Sequence, residues 1–544
     1  MKKISKIAML FVCAAVLFGS VFTFAACVKQ LQDFEYDFTE TDELVEYTFF
    51  AHNWNMYEGQ DNDRILKFIE QKFNVRIKIT GAPWEGWRDR LSTQIGANQA
   101  PDLFFYLPNE KAYSEYVRKQ QIQPLDGYIE KANATNLKSM FASNQLKDAT
   151  FGGLHYFVPN IFAPSNHAIY VRKDWMKKWI DARGYTNKTQ PETLSEFADM
   201  LKYFTENDPD GSETETVGMT ASQEVGWFDN FLASFGISPN WTNENGEYVW
   251  NATTDGYKNM TNYFADLYNK GYIRQEFFTQ TDAEKEEDFI NGRAGVMISN
   301  NNAMVDSIIS RMSKGVLAGK NPEDYIDVIM PPSSDDGKLQ GKYAAYDGYW
   351  GGFNISNTAR EPMRLVRILD YMMSEEGQML RLYGIEGVHY ELNDEGVVVP
   401  NLTERRQEGQ NRFMTPNPDT LDPSGKYSIG TYFSENKFFV DENNDLQIIR
   451  DTSTTLYRSI VEKANTFIDE KPLNYGNPRY IIDFDSTYYN NLSKLVDDTQ
   501  IMFIMTVSGQ QKYDEAFADF QSRLKADKYD NLKKTVNEKA KIGE

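Results

Sequence analysis

From Val45 onward the sequence switches repeatedly between two hydrophobic periods, and this constrains the fold more than any other feature. "EYTFFAHNW" has strand character. "NDRILKFIEQKF" sets Ile65, Leu66, Ile69 and Phe73 on one helical face, and in "VRIKIT" Val75, Ile77 and Ile79 alternate with Arg76, Lys78 and Thr80. "GWRDRLSTQIGAN" reads as a further helix and "PDLFFYL" as a short buried strand. Strands and helices joined by short links make an α/β domain with a largely parallel sheet. Ligands of such sheets sit beyond the carboxyl ends of the strands. His52 to Asn55, Trp84 to Trp87 and Tyr106 to Asn109 are therefore expected along one rim.

A second α/β region follows. Its clearest helix is "PETLSEFADMLKYFTEN", where Thr193 and Glu196 are spaced as a capping box behind Pro191. Leu194, Phe197, Ala198, Leu201 and Phe204 form its buried stripe. One more helix is expected from about Arg364 to Leu382, and "NENGEY" and "LNDEGV" signal hairpins. No Pro- or Gly-rich linker divides the chain and no internal repeat appears, so two interwoven lobes are expected.

The N-terminus reads as an export signal. Lys2, Lys3 and Lys6 precede the apolar run "IAMLFVCAAVLFGSVFTF", and the small residues Ala25 and Ala26 lead to Cys27. A basic start, an apolar stretch and a small-residue processing site make a secretory leader. Phe-Ala-Ala-Cys resembles a bacterial lipobox, with Phe24 where Leu is more usual, and implies diacylglycerol on the Cys27 thiol. The alternative is an uncleaved membrane anchor, since the run approaches the length of a spanning helix. Cleavage also removes Cys13, one of only two cysteines, so neither a disulfide nor a thiolate zinc site is expected in the mature chain. Residues 28–43 are acidic and aperiodic and read as a tether.

The formal charge of −22 becomes −25 without the three leader lysines. Such a chain has little attraction for nucleic acid or anionic headgroups. The 32 Tyr, 35 Phe and 9 Trp are compatible with a cleft of flat amphipathic rings or simply with a large core.

Five segments in series carry a resemblance: "YVRKDWMKKW", "PETLSEFADMLKYFTENDPDG", "DGYKNMTNYFADLYNKGYI", "FINGRAGVMISNN" and "LVRILDYMMSEEGQMLRLYGIEGVHYEL". Together they resemble the extracellular solute-binding protein family 1, in its large lipoprotein branch that serves carbohydrate ABC importers. The resemblance implies a two-lobed type II periplasmic-binding fold with ligand trapped between the lobes. Lobe crossings are implied near Asn160 to Ala168, Val296 to Asn300 and Tyr349 to Phe353. The division that follows is residues 1–26 leader, 27–43 tether, 44–160 with 298–348 as N-terminal lobe, and 161–297 with 349–544 as C-terminal lobe. Gly348, Gly351 and Gly352 offer permissive backbone for a hinge or an ordinary loop. The implied partners are an oligosaccharide, a membrane permease and, through the acyl chains, a lipid bilayer outside the cytoplasm. The protein is expected to be a monomer and not an enzyme; the alternative is a binding protein for a peptide or another non-sugar solute, and less favoured are a glycoside-cleaving enzyme and a surface adhesin.

The ligand-binding candidates combine rings with amides. Asn53, Trp54 and Asn55 could stack on a sugar's C–H face and bond its hydroxyls, or the Trp could pack beneath its loop. Of Trp84 and Trp87, one is expected to face ligand and the other to pack. Trp227 and Asn230 are candidates on the second lobe. Asn300, Asn301 and Asn302 end a strand, where they could reach ligand or cap the next helix. Asp347, Tyr349 and Trp350 are placed at a crossing, and Glu386, His389 and Tyr390 either meet ligand or form a structural turn. "NDPDGSETETVG" resembles a calcium loop through Asp208, Asp210, Ser212 and Thr214, but Glu213 and Met219 stand where Gly and Glu belong. An acidic surface turn is the default there, and no other cofactor is expected. The scattered histidines His52, His155, His167 and His389 form no HExxH, and no nucleophile elbow or Walker loop occurs. A glycosidase carboxylate pair would be invisible to such a search.

Overall fold

The structure, a computed structural model, describes residues 34–52, 64–82, 86–107, 112–147, 149–162, 167–211, 215–301, 303–345, 348–394, 396, 398–401, 437–449, 457–470, 473–474 and 486–540. In chain order the strands are β1 (Val45–His52), β2 (Val75–Ala82), β3 (Leu103–Tyr106), β4 (Val158–Phe162), β5 (His167–Arg172), β6 (Val217–Met219), β7 (Trp241–Glu244), β8 (Glu247–Trp250), β9 (Ala294–Asn300), β10 (Ile326–Ile329), β11 (Ala344–Ala345) and β12 (Gly348–Ile355). Two main sheets form, in the orders β2-β1-β3-β12-β4 and β10-β5-β9-β6. This is the expected two-lobed α/β architecture. In the first sheet β1 runs parallel to β2 and β3, while β12 is antiparallel to β3 and β4. In the second, β5 is antiparallel to β9 and β10, and β6 is parallel to β9.

The expected lobe boundaries fail in their second half. β9 remains in the second sheet through Asn300, and β10 pairs with β5 there, so 298–329 belongs to the second lobe. β12 lies inside the first sheet, and Asp370 of helix Pro362–Met373 accepts from Leu137 N and Asn136 Nδ2, so this stretch is first lobe. The glycines explain the difference. A Cβ on Gly351 would lie 2.4 Å from the Phe105 ring, and one on Gly352 would lie 2.5 Å from Phe157. They let β12 pass between aromatic neighbours and act as packing glycines. The chain crosses between β4 and β5, between β10 and β12, and again before helix Arg458–Glu470, whose Lys463 pairs with Asp327 of β10 at 2.6 Å.

Local readings fare unevenly. Helix Leu194–Glu206 is capped by Thr193, which accepts from Glu196 N, but the Glu196 carboxylate takes Glu192 N–H at 2.9 Å. The hairpin β7–β8 turns at Asn245 and Gly246, with φ of 55° and 87°, as a tight hairpin requires. "LNDEGV" likewise joins two antiparallel strands, Tyr390–Leu392 and Val398–Pro400. The single helix expected from Arg364 to Leu382 is two, Pro362–Met373 and Glu375–Tyr383. Ser374 breaks it by leaving helical geometry and accepting from Gly377 N at 3.1 Å.

The expected tether is corrected from residue 34 onward, its first part, 27–33, lying outside the described residues. Residues 34–44 lie as a strap on the first lobe. Tyr36 meets Phe34 and Tyr128 edge-on at 5.0 and 4.8 Å. The Thr41 hydroxyl donates to Glu361 at 2.7 Å, Arg364 donates to the Thr41 and Glu43 carbonyls, and Glu40 pairs with Arg367 at 2.9 Å. The reason is the regular spacing of Phe34, Tyr36 and Phe38 in an otherwise acidic stretch, which supplies apolar cover for Tyr128.

Candidate functional site

β4 runs in the same direction as β1 to β3, since β12 is antiparallel to both β3 and β4. His167 begins β5 opposite Asn300, which ends β9. The carboxyl ends of β1 to β3 and of β6 and β9 therefore lie on the side where the chain crosses, the usual ligand position in open α/β sheets.

On the second lobe this rim carries a compact cluster. After β6 the chain reaches Ser222 and Glu224 and then a 3₁₀ segment, Val225–Phe235, that presents Trp227 half-buried. Helix Asp282–Ile290 brings two groups against it, its start fixed by a capping box between Thr281 and Glu284. Asp282 Oδ1 accepts from Ser222 Oγ at 2.6 Å, from Trp227 Nε1 at 2.8 Å and from Lys285 Nζ at 3.1 Å. Lys285 is 1% exposed, and its ammonium sits 3.5 Å from the Trp227 ring centroid. The His167 ring lies 4.5 Å from the same indole. A desolvated cation over an indole contributes about 2 kcal/mol, so the ring is held by a hydrogen bond at its edge and a charge at its face.

The charges are strongly coupled. Burial pushes the Lys285 ammonium down, and Asp282 opposes this. Burial alone would raise Asp282, but Lys285 and the hydrogen bonds from Ser222 and Trp227 hold it below the usual carboxylate range. His167 is pushed down to about 4, first by burial and then by Lys285. Glu286 is pushed up to about 7 by burial, with Lys285 opposing. Glu224 is raised by burial and by Asp282, and Arg88 of the first lobe acts on it in the opposite sense. A fixed indole among carboxylates and one ammonium can stack on a flat face while bonding hydroxyls around its edge.

The expected residues divide three ways. Trp227 lies in the cluster, Asn300 is half-buried at the end of β9 and Glu386 is exposed. Others are core, which for Trp87 and for the turn at His389 and Tyr390 is the structural one of the two readings given above. Trp87 is fully buried against Tyr106, Tyr349 packs on Phe157 at 5.3 Å and Tyr390 packs on Tyr383 at 5.7 Å. His389 is fully buried with Nδ1 accepting Ile385 N–H at 2.8 Å, in a turn where a Cβ on Gly384 would lie 2.5 Å from that nitrogen. Asn230 is buried and donates to the Trp227 carbonyl, and Asn301 ties Tyr170 to Asn465. Asn53, Trp54, Asn55, Trp84, Asn302, Asp347, the Trp350 side chain and the lipidation candidate Cys27 lie outside the described residues.

Sequence reasoning missed Lys285, Asp282, His167, Ser222, Glu224 and Glu286. A signal for Lys285 was present: it stands three residues after Asp282 and four before Phe289, on the helix's buried face.

The calcium loop, the lesser of the two readings of this turn, does not fit the described residues. Lys178 donates to the Pro209 carbonyl between Asp208 and Asp210, and a Cβ on Gly292 would lie 3.5 Å from Arg172 Nη1 and 3.6 Å from Asp210 Oδ2. Two cations beside the turn compete with a metal that needs six to eight oxygens. Ser212 and Thr214 lie outside the described residues, and among the described residues no group of three His, Cys, Asp or Glu side chains could hold a metal. Nor, among the described residues, is any helix long and apolar enough to cross a membrane.

The polygalacturonan/rhamnogalacturonan-binding protein YtcQ of Bacillus subtilis is 27% identical over 345 residues, 61% of this chain and 65% of its own length, so the chain matches just under two thirds of that relative. The alginate-binding protein AlgQ2, solved without calcium ion, superposes with a TM-score of 0.66 over 93% of this chain and 100% of its own, at 16% identity. The Streptococcus pneumoniae ABC-transporter substrate-binding protein FusA, solved with kestose, gives 0.65 over 92% and 100%, also at 16% identity. At such identities these likenesses establish the fold alone. The model of the bacterial extracellular solute-binding proteins matches residues 59–379, more than half of the sequence, and the chain belongs to that family.

Proposed function

We propose that this protein is the lipid-anchored receptor of a carbohydrate ABC importer and captures an oligosaccharide between its lobes without altering it. The observation that carries the reading is Trp227, fixed at the inter-lobe rim by Asp282 and Lys285. An immobilised indole loses little ordering entropy when a pyranose face stacks on it, and the carboxylates of Asp282 and Glu224 beside it are accessible to hydroxyls. Family membership and the glycan-binding relative support the same reading. The chain acts by closure: two rigid lobes joined by crossing segments approach over the ligand, and the closed form meets the permease. Cys27 carries the acyl chains, and two such chains anchor firmly where one does not.

The test is a thermal-shift and calorimetric screen of mature chain against neutral and uronic-acid oligosaccharides. A ligand at a hundred times its dissociation constant stabilises the native state by about 2.7 kcal/mol. A saturable shift with one glycan class, the glycan recovered intact and Trp227→Ala weakening it at least tenfold, supports the proposal. A shift with peptides alone, or glycan recovered cleaved, refutes it.

A further inference from the structure

The strap is docked on one face of the first lobe. Between Phe34 and Leu44 the backbone and side chains engage the first lobe at independent points. Tyr36 covers Gly127, the Asp37 amide donates to the Tyr128 hydroxyl at 3.2 Å, Glu40 pairs with Arg367, and Thr41 bonds Glu361. Arg364, 6% exposed, clamps the end of the strap by donating to the Thr41 and Glu43 carbonyls as well as to the Glu361 carboxylate. The bonds from Arg364 to the strap carbonyls are charge-assisted and partly buried, whereas the Glu40–Arg367 pair is substantially exposed and adds little.

We propose that this strap is a fixed mount that holds the first lobe, by the face formed from helices Asp126–Ala132 and Pro362–Met373, close above the bilayer surface. The inference rests on lipid attachment at Cys27, proposed above. Seven peptide steps separate Cys27 from Phe34. At about 3.5 Å each they reach no more than about 25 Å, whereas a leash free to Glu43 would reach about 56 Å. Docking therefore removes more than half of the standoff. The strap itself has five acids (Glu35, Asp37, Glu40, Asp42 and Glu43) and no Lys or Arg, so an anionic headgroup layer repels it. The lobe is held near the surface without adsorbing to it, and the second lobe, with the Trp227 cluster, lies on the side away from the mount.

The test uses the full chain, expressed with its leader and reconstituted in phosphatidylcholine vesicles carrying a headgroup energy-transfer acceptor. With Cys13 removed and Cys27 lipidated, a single introduced thiol takes the donor, at Glu130→Cys on the first lobe or Lys314→Cys on the second; both positions are exposed. Transfer at 130 is expected to exceed transfer at 314 at least twofold. Inserting ten Gly-Ser residues after Val28, which leaves the strap docked and the fold untouched, should lower transfer at 130 at least twofold. Releasing the strap with Tyr36→Ala and Glu40→Ala should bring the two positions together. Equal transfer at 130 and 314, or no response to the insertion, overturns the mount while the anchor stands. Protein that does not float with the vesicles overturns the anchor, and the mount with it.

Discussion

Replacing Gly127 by Ala should change stability in opposite directions according to whether the strap is present. Gly127 is the second residue of helix Asp126–Ala132. In a helix, alanine is favoured over glycine by about 0.5–1 kcal/mol because it loses less backbone entropy. In the full chain, however, the new methyl would stand 2.6 Å from Tyr36 Cζ and 2.7 Å from both Cε atoms. Carbon contacts are comfortable at about 3.5–4.0 Å, so the ring must lift by roughly 1 Å. It cannot do so freely, because it meets Phe34 and Tyr128 edge-on and stacks on Phe38 at 5.8 Å. Two edge-to-face pairs are worth about 0.5–1.5 kcal/mol each. Roughly 50 Å² of uncovered apolar surface adds about 1 kcal/mol. The cost of about 2–4 kcal/mol exceeds the helical gain and leaves a net loss of about 1–3 kcal/mol. In a chain beginning at Leu44 only the gain remains. A loss of about 2 kcal/mol moves the melting midpoint of a protein this large by only about 2 °C. Hydrogen exchange at the amides of Ile129 to Ala132 is the better assay, since the same loss speeds local opening roughly thirtyfold. If the substitution slows exchange in both chains, Tyr36 is not seated over Gly127 and the mount loses its footing.

Three further outcomes are expected. Lys285→Met keeps the volume but removes the charge over Trp227; because Asp282 retains its Ser222 and Trp227 donors, the loss should be near 2 kcal/mol, with glycan affinity down at least tenfold by calorimetry, and unchanged affinity would separate the cluster from the ligand. Glu286 keeps its proton up to about 7, so its contribution to the fold is complete below the ordinary carboxylate range and is lost as pH rises through about 7; Glu286→Gln should flatten that limb of a melting-versus-pH curve. His167, pushed down to about 4, acts in the opposite sense, its contribution present above about 6.5 and lost as pH falls through about 4, so the acid limb should survive in the Gln variant. Calcium at millimolar concentration and a chelator should give the same melting midpoint, because Lys178 and Arg172 already attend the Asp208–Asp210 turn; a midpoint rise with calcium would show that the turn rearranges to take the ion.

Legibility in the sequence followed the range over which each interaction acts. Periodicity reports burial of neighbours along one element, so β1, β2 and helix Arg64–Phe73 could be read directly, and the Asn-Gly turn of β7–β8 carries its own backbone requirement. Lobe membership depends on which strand lies beside which, and "AGVMISN" has the same apolar pattern whether it crosses between sheets or, as here, lies buried between β5 and β6. The glycines near β12 misled for a related reason: freedom of the backbone and room for a neighbour's ring both favour glycine, and only the distances to Phe105 and Phe157 separate them. At the site, ring-bearing residues attracted attention because sugar stacking is a property of single side chains. Trp87 and Trp227 look alike by that criterion, yet one is sealed beneath Tyr106 and the other is held at the rim. What distinguishes them is Lys285, 58 positions away along the chain, a lone cation in "DAEKEEDF" whose ordinary reading is a solvated helix face. Its burial becomes readable only through its spacing to Phe289, which turns it inward, and through Asp282, which compensates its charge there. The residues that fix a binding surface are thus harder to see than those that form it, because their chemistry lies in a pairing the chain makes only after it has folded.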